Sequence, residues 1–231
     1  MSESVLNIKN LTVSFPDHLV LNDLSVELNK GDFLSVVGQN GVGKTTLVRV
    51  ILHQLTPQKG SVTYTPTFKH MKIGYVPQFR NIDEEYPLSI RDFIGLNLHD
   101  SHLPWLSKNE RQKLNRIIKD TNLESIQNTP LGEASGGEKQ KAYLAQALIN
   151  DPDLLILDES TASLDSVRKF ELLDLVQDFN VHQNVSVLFI THDIELAQKY
   201  ANQYLLMRHG SYQSGPIGQF KETDLEEAEH A

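Results

Sequence analysis

The sequence predicts an α/β fold in which a parallel sheet, built from two separated segments of chain, lies beside an antiparallel strand group and is interrupted by a helical insertion. Three observations carry this. Strand-like runs are followed by helix-like runs from residue 33 and again from residue 154, and such alternation implies parallel strands joined by crossover helices. The earliest residues alternate apolar and polar with period two, as half-buried strands do. From about Ser89 to Asn150 the pattern is mostly helical and more polar.

The elements follow in order. Residues 4–15 (SVLNIKNLTVSF) and 24–29 (LSVELN) read as strands. Residues 33–37 (FLSVV) form an apolar run that ends at Gly38, and a helix pattern runs from Lys44 to about Leu55 with Leu47, Val48, Ile51, Leu52 and Leu55 on one face. Pro57 and Gly60 punctuate the next turn, and strands are expected at 61–64 and 72–76. In the insertion, Ser107 followed by Glu110 makes a capping box, and Ser89 can cap a further helix. Apolar runs return at 154–157 (LLIL) and 186–190 (SVLFI), with Asp165 able to cap the helix between them. The expected organisation is a single domain at 4–220, its core at about 4–88 and 151–220 and its insertion at about 89–150. Residues 221–231 are an acidic tail.

Composition narrows the function. A formal net charge of −9 over 231 residues argues against a general nucleic-acid binder, which carries a basic patch. There are no cysteines, so disulfides and thiolate metal sites are excluded. The N-terminal MSESVLNIKN has no basic segment followed by an apolar stretch, so no signal peptide is expected. No apolar run approaches the ~20 residues that span a bilayer. If the chain powers transport, another chain must supply the channel.

The segment from Gly38 to Thr46 (GQNGVGKTT) fits the phosphate-binding pattern G-x-x-x-x-G-K-[ST]. Its glycines, Gly38, Gly41 and Gly43, let successive N–H groups converge on phosphate oxygens, with Asn40 among them. The helix that follows starts at its positive end, which favours an anion. Lys44 adds a charge for the β- and γ-phosphates, the Thr45 hydroxyl is placed to bind Mg²⁺, and Thr46 follows it. Asp158 and Glu159 end the apolar run 154–157, and open α/β sheets bind ligands at the carboxyl ends of their strands. Asp158 is therefore expected to hold Mg²⁺, and Glu159 to orient and deprotonate an attacking water.

The segment Ala134-Ser135-Gly136-Gly137-Glu138-Lys139-Gln140 then resembles the signature of the ATP-binding cassette (ABC) family, usually Leu-Ser-Gly-Gly-Gln or -Glu, with Ala134 in the place of Leu. Physically it is a hydroxyl and glycine amides at a helix start. Other marks resemble the family in the expected order over about residues 4–215: Gln78 the glutamine lid, Ser163-Leu164-Asp165 the interface loop, His192 the switch histidine, and Phe15 the ring that stacks on adenine. Ser160 departs from the Pro that many relatives carry. The resemblance implies a P-loop NTPase (RecA-like) core with an antiparallel β subdomain and an inserted helical subdomain that rotates when ATP binds. It implies catalytic roles for Glu159, His192, Lys44 and Gln78, with Gln78 also reaching Mg²⁺. Ser135, Gly136, Gly137 and Glu138 would meet the γ-phosphate held by a second copy, giving an ATP-dependent dimer, expected to be a homodimer.

By the same resemblance the chain is the ATPase subunit of a transporter, on the cytoplasmic face of the membrane, with a separate integral permease and, indirectly, a solute-binding protein. The run Phe79-Arg80-Asn81-Ile82-Asp83-Glu84-Glu85-Tyr86-Pro87-Leu88-Ser89-Ile90-Arg91-Asp92 resembles the ATPases of zinc- and manganese-type metal importers. Other cargo remains an alternative: siderophore or cobalamin import, or export. A soluble ABC protein acting on ribosomes or DNA is a further one, against which the acidic single cassette argues.

Overall fold

The computed structural model describes residues 3–16, 18–78, 86–98, 106–162 and 164–221. Strands β1 (Ser4–Phe15) and β2 (His18–Asn29) form a long antiparallel ribbon, and β4 (Lys59–Tyr64) pairs antiparallel with the other edge of β1. The main sheet has six strands in the order β5-β6-β7-β3-β8-β9. Of these, β5 (Ile73–Val76), β6 (Leu154–Asp158), β7 (Ser186–Thr191), β3 (Phe33–Val37) and β8 (Gln203–Arg208) run parallel. The edge strand β9 (Ser211–Pro216) is antiparallel to β8.

Strands β3, β6 and β7 are buried along their whole length, which is why they read as unbroken apolar runs rather than as alternation. Their period of two still sorts them between two cores. Leu154 and Ile156 face α1 (Lys44–Ile51) and the antiparallel sheet, in a cluster with Leu47, Ile51, Leu6 and Ile8. Leu155 and Leu157 face the opposite way, into a cluster that holds α2 (Ile90–Gly95), α3 (Lys108–Asp120), α4 (Gly136–Leu148) and α5 (Ser166–Gln183). The last helix, α6 (Ile194–Tyr200), packs beside β3 and β8 with Tyr204 and Phe220.

The expected caps are present. Ser107 and Glu110 exchange the reciprocal bonds of a capping box at α3, Ser89 accepts from Asp92 N at α2, and Asp165 accepts from Arg168 N at α5. Several boundaries differ from expectation by one or two residues, β4 starting at Lys59 and taking in Gly60 where a turn was expected, and two differ by more. Helix α1 ends at Ile51 rather than near Leu55, because His53 adopts a left-handed conformation (φ 54°). The N–H groups of His53 and Gln54 then turn back onto the carbonyls of Val50 and Arg49, a Schellman closure that a histidine can supply although glycine is usual. Strand β2 starts at His18, six residues before the expected Leu24, because pairing with β1 continues from Val13↔Leu21 to Phe15↔His18. The acidic tail beyond Lys221, Ser163 and the run from Phe79 to Glu85 lie outside the described residues.

Candidate functional site

The loop between β3 and α1 is shaped by two close approaches. At Gly38 a Cβ would lie 2.5 Å from the Met207 carbonyl, and at Gly43, with φ 106°, it would lie 2.8 Å from the Val20 side chain. No side chain caps α1, so its first-turn amides are open to an anion. Lys44 is buried, its ammonium donating to the carbonyls of Gly38 (2.7 Å) and Gln39 (2.8 Å). That burial lowers its pKa, against the opposing pull of Glu159, whose Oε1 stands 3.7 Å away.

The sheet order brings the remaining groups to this loop. Because β5 and β6 run parallel with Val76 opposite Leu157, Gln78 and Glu159 emerge side by side, and Gln78 Nε2 donates to Glu159 Oε2 at 2.9 Å. Glu159 has φ 46°, and its N–H donates to the Ile190 carbonyl of β7 at 3.1 Å. A proline at 160 would push residue 159 toward extended backbone; Ser160 leaves it free of that restriction. Asp158 is buried at the end of β6, where Tyr75 donates to its Oδ2 at 3.2 Å. Burial raises the Asp158 pKa; the Tyr75 bond opposes this, and the neighbouring Glu159 adds to it.

A cleft of about 510 Å³ opens over these groups, within the size range of small-molecule sites. It is lined by Asn40, Gly41, Gly43, Lys44, Thr45 and Thr46 of the glycine loop and α1, together with Gln78 and Glu159. Phe15 also lines it, its ring centroid 6.0 Å from that of His18. A smaller depression of about 190 Å³, lined by Lys30, Asp153 and Val185 among others, contains none of the expected site residues.

Several expected residues lie outside the cleft. Gly38 and Asp158 sit beneath it, engaged through the contacts above. His192 is exposed, one residue past the end of β7. The order β6-β7-β3 sets it between the strand that carries Glu159 and the strand that feeds the glycine loop. Ser135, Gly136, Gly137 and Glu138 form the start of α4, where Ser135 N donates to Glu138 Oε2 (2.7 Å) and Glu138 N to Ser135 Oγ (3.4 Å). Hydrogen bonding to the carboxylate from the Ser135 side chain, and next from the Ser135 main-chain N–H, holds the Glu138 pKa below its ordinary value. Sequence reasoning missed His18 and Val20, which line the cleft, and Tyr75, which holds Asp158. The apolar run Leu19–Leu21, continuous with the expected strand from Leu24, carried a signal for a longer strand there.

A profile of the ABC transporter family matches residues 21–162, more than half of the chain. The chain belongs to the ABC transporter family. As an ABC cassette it binds ATP and hydrolyses it. A Thermotoga maritima protein named as a metal transport system ATP-binding protein is 29% identical over 221 residues, covering 96% of this chain and 88% of its own length. The zinc import ATP-binding protein ZnuC of Photorhabdus laumondii subsp. laumondii is 33% identical over 204 residues, covering 88% and 75%. Among solved structures, a transporter described as of metal-chelate type, in an inward-facing conformation, superposes with a TM-score of 0.89 at 27% identity, covering 99% of this chain and 90% of that one. A dimeric bacterial cassette shares the fold at 22% identity, with a TM-score of 0.78, covering 93% of this chain and 100% of that one. Among the described residues, no helix of this cassette is long and apolar enough to cross a membrane.

Proposed function

We propose that this cassette powers import of a divalent metal, zinc or manganese, as a peripheral subunit docked on the cytoplasmic side of a membrane permease that a solute-binding protein supplies. The observation that carries the cargo is the likeness to a zinc import and a metal transport ATPase over most of the chain. The joining of Lys44, Gln78 and Glu159 in the lining of one cleft supports the chemistry.

The α1 amides and Lys44 bind the β- and γ-phosphates, and Phe15 stacks on adenine. Glu159 stands against Lys44; a γ-phosphate would compete for that ammonium and leave the carboxylate available to water. Glu159 then accepts the proton of the attacking water, with Gln78 orienting its carboxylate and His192 facing the γ-phosphate. Thr45, Gln78 and Asp158 offer hydroxyl, amide and carboxylate oxygens, a hard donor set that fits Mg²⁺. Mg²⁺ held there would neutralise charge developing on the phosphoryl oxygens. Ser135, Gly136 and Gly137 of one cassette close on the γ-phosphate held by its partner, so that nucleotide joins a homodimer.

The test is physiological. A strain lacking the chain should grow poorly under zinc or manganese limitation and recover with excess of that metal. The wild-type copy should rescue it and a Lys44→Ala copy should not. Unchanged cellular zinc and manganese in the starved deletion strain, with redundant importers removed, would sink the metal reading and leave another cargo for the ATPase.

A further inference from the structure

Ser160 follows Glu159 directly and is fully buried, and the fully buried Gln140 of α4 reaches it: Gln140 Nε2 donates to the Ser160 main-chain carbonyl. An amide in such a place is costly unless bonded, and its neighbours along α4, Ala142, Leu144, Ala145 and Leu148, are buried apolar residues. Packing alone would be served by a methionine or leucine. The amide is needed by what it holds. The other polar atom of each partner, Gln140 Oε1 and Ser160 Oγ, is also buried and, among the described residues, has no hydrogen-bond partner. One is an acceptor and the other carries a hydroxyl donor, on residues already in contact.

Glu159 is thus gripped from two sides. Its own N–H is held by Ile190 of β7, and the carbonyl of the next residue is held by α4. The same helix is capped five residues before Gln140, by Ser135. We propose that Gln140 is a positioning residue that ties the serine–glycine start of α4 to the Glu159 loop, with the Ser160 hydroxyl completing the tie to Gln140 Oε1. This rests on the reading of Glu159 as the base and of Ser135–Gly137 as the contact for the partner's nucleotide. Its consequence is directional: when the partner's γ-phosphate engages α4, the displacement reaches the carboxylate that serves this cassette's own ATP. The two sites of the dimer then fire in concert, and serine at 160 supplies a donor that proline lacks.

Gln140→Met keeps the length and removes the amide; Ser160→Ala removes only the hydroxyl. For purified Gln140→Met we expect kcat to fall about 100-fold, as for a group displaced by an ångström, while KM and the monomer's affinity for ATP stay within about threefold. Cooperativity in ATP should be lost. Placed in the Glu159→Gln background, Gln140→Met should still form an ATP-bound dimer, showing that chemistry rather than assembly is lost. Ser160→Ala should lower kcat and cooperativity in the same direction by a smaller factor. A Gln140→Met protein with kcat within about twofold of wild type, or one whose kcat falls only in step with ATP affinity or melting temperature, overturns the proposal. If Gln140→Met fails to fold, Ser160→Ala decides, and an unchanged kcat and Hill coefficient there overturn it. Persistent hydrolysis by Glu159→Gln would instead overturn the assignment of the base.

Discussion

At the scale of single residues, adjacent carboxylates at the end of β6 do different work because their surroundings differ. Glu159 lines the cleft and is reached by Gln78 and Lys44. Glu159→Gln keeps the size and removes the base, so turnover should fall about 100- to 10,000-fold while ATP still binds; nucleotide titration beside a phosphate-release assay checks both. Asp158 is buried, and burial raises its pKa above the ordinary 3.8. A raised carboxyl pKa means that the folded state holds the proton more tightly than the unfolded state. Its ionised form therefore costs stability, a cost that grows as pH climbs past 3.8 and is complete above the raised value. Asp158→Asn, which can still accept from Tyr75, should melt higher than wild type at pH 7 without nucleotide. The gap should narrow as pH falls toward 3.8, and Mg-ATP should no longer stabilise the variant. A lower melting point for the nucleotide-free variant at pH 7 would contradict this. Residue types and spacing made Lys44, Asp158 and Glu159 legible in the sequence. The bonds from Tyr75 to Asp158 and from Gln140 to Ser160 span 83 and 20 residues, and no local pattern encodes them.

At the scale of elements, caps were the most legible feature, since Ser-x-x-Glu states both partners of the bond within one turn. The end of α1 was not, because a left-handed His53 leaves no glycine to mark it, and the start of β2 was set by its partner strand rather than by its own composition. The capping boxes also allow a controlled experiment. Ser107 at α3 and Ser135 at α4 make the same reciprocal pair with a glutamate three residues on. Losing the hydroxyl of either should cost about 1 kcal/mol, or about 2–4 °C in Tm for a chain of this size. Ser107→Ala should show that loss with ATPase activity intact. Ser135→Ala should show a similar loss of stability together with a fall in kcat of about 100-fold, the usual result of deleting one donor to a developing oxyanion. Calorimetry and steady-state kinetics on the pair separate capping from catalysis. Equal activity in both variants would leave Ser135 as a helix cap and nothing more.

At the scale of the whole molecule, the α4 start, read as a contact for a partner's nucleotide, predicts how two cassettes assemble. Ser135, Gly136 and Gly137 lie outside the cleft that holds Lys44 and Thr45, and nothing lies within 4 Å of where a Gly136 Cβ would stand. On the proposed reading, one cassette would offer half of two sites, and two cassettes head to tail would offer two complete ones. Association without nucleotide is opposed by charge, since each chain carries a formal −9. A ligand at about 100 times its Kd adds about 2.7 kcal/mol to the state that binds it, and a symmetric dimer holds two such ligands. The Glu159→Gln protein should therefore elute from a sizing column at about twice its 26.1 kDa with Mg-ATP, and as a monomer with ADP or no nucleotide. Adding Ser135→Arg places bulk at the contact while leaving the glycine loop untouched. That double variant should bind ATP as a monomer and fail to dimerise, as read by light scattering with a fluorescent ATP analogue. Loss of ATP binding in the monomer would instead put Ser135 in its own chain's site, and an ATP-bound dimer that persists would remove the α4 start from the interface.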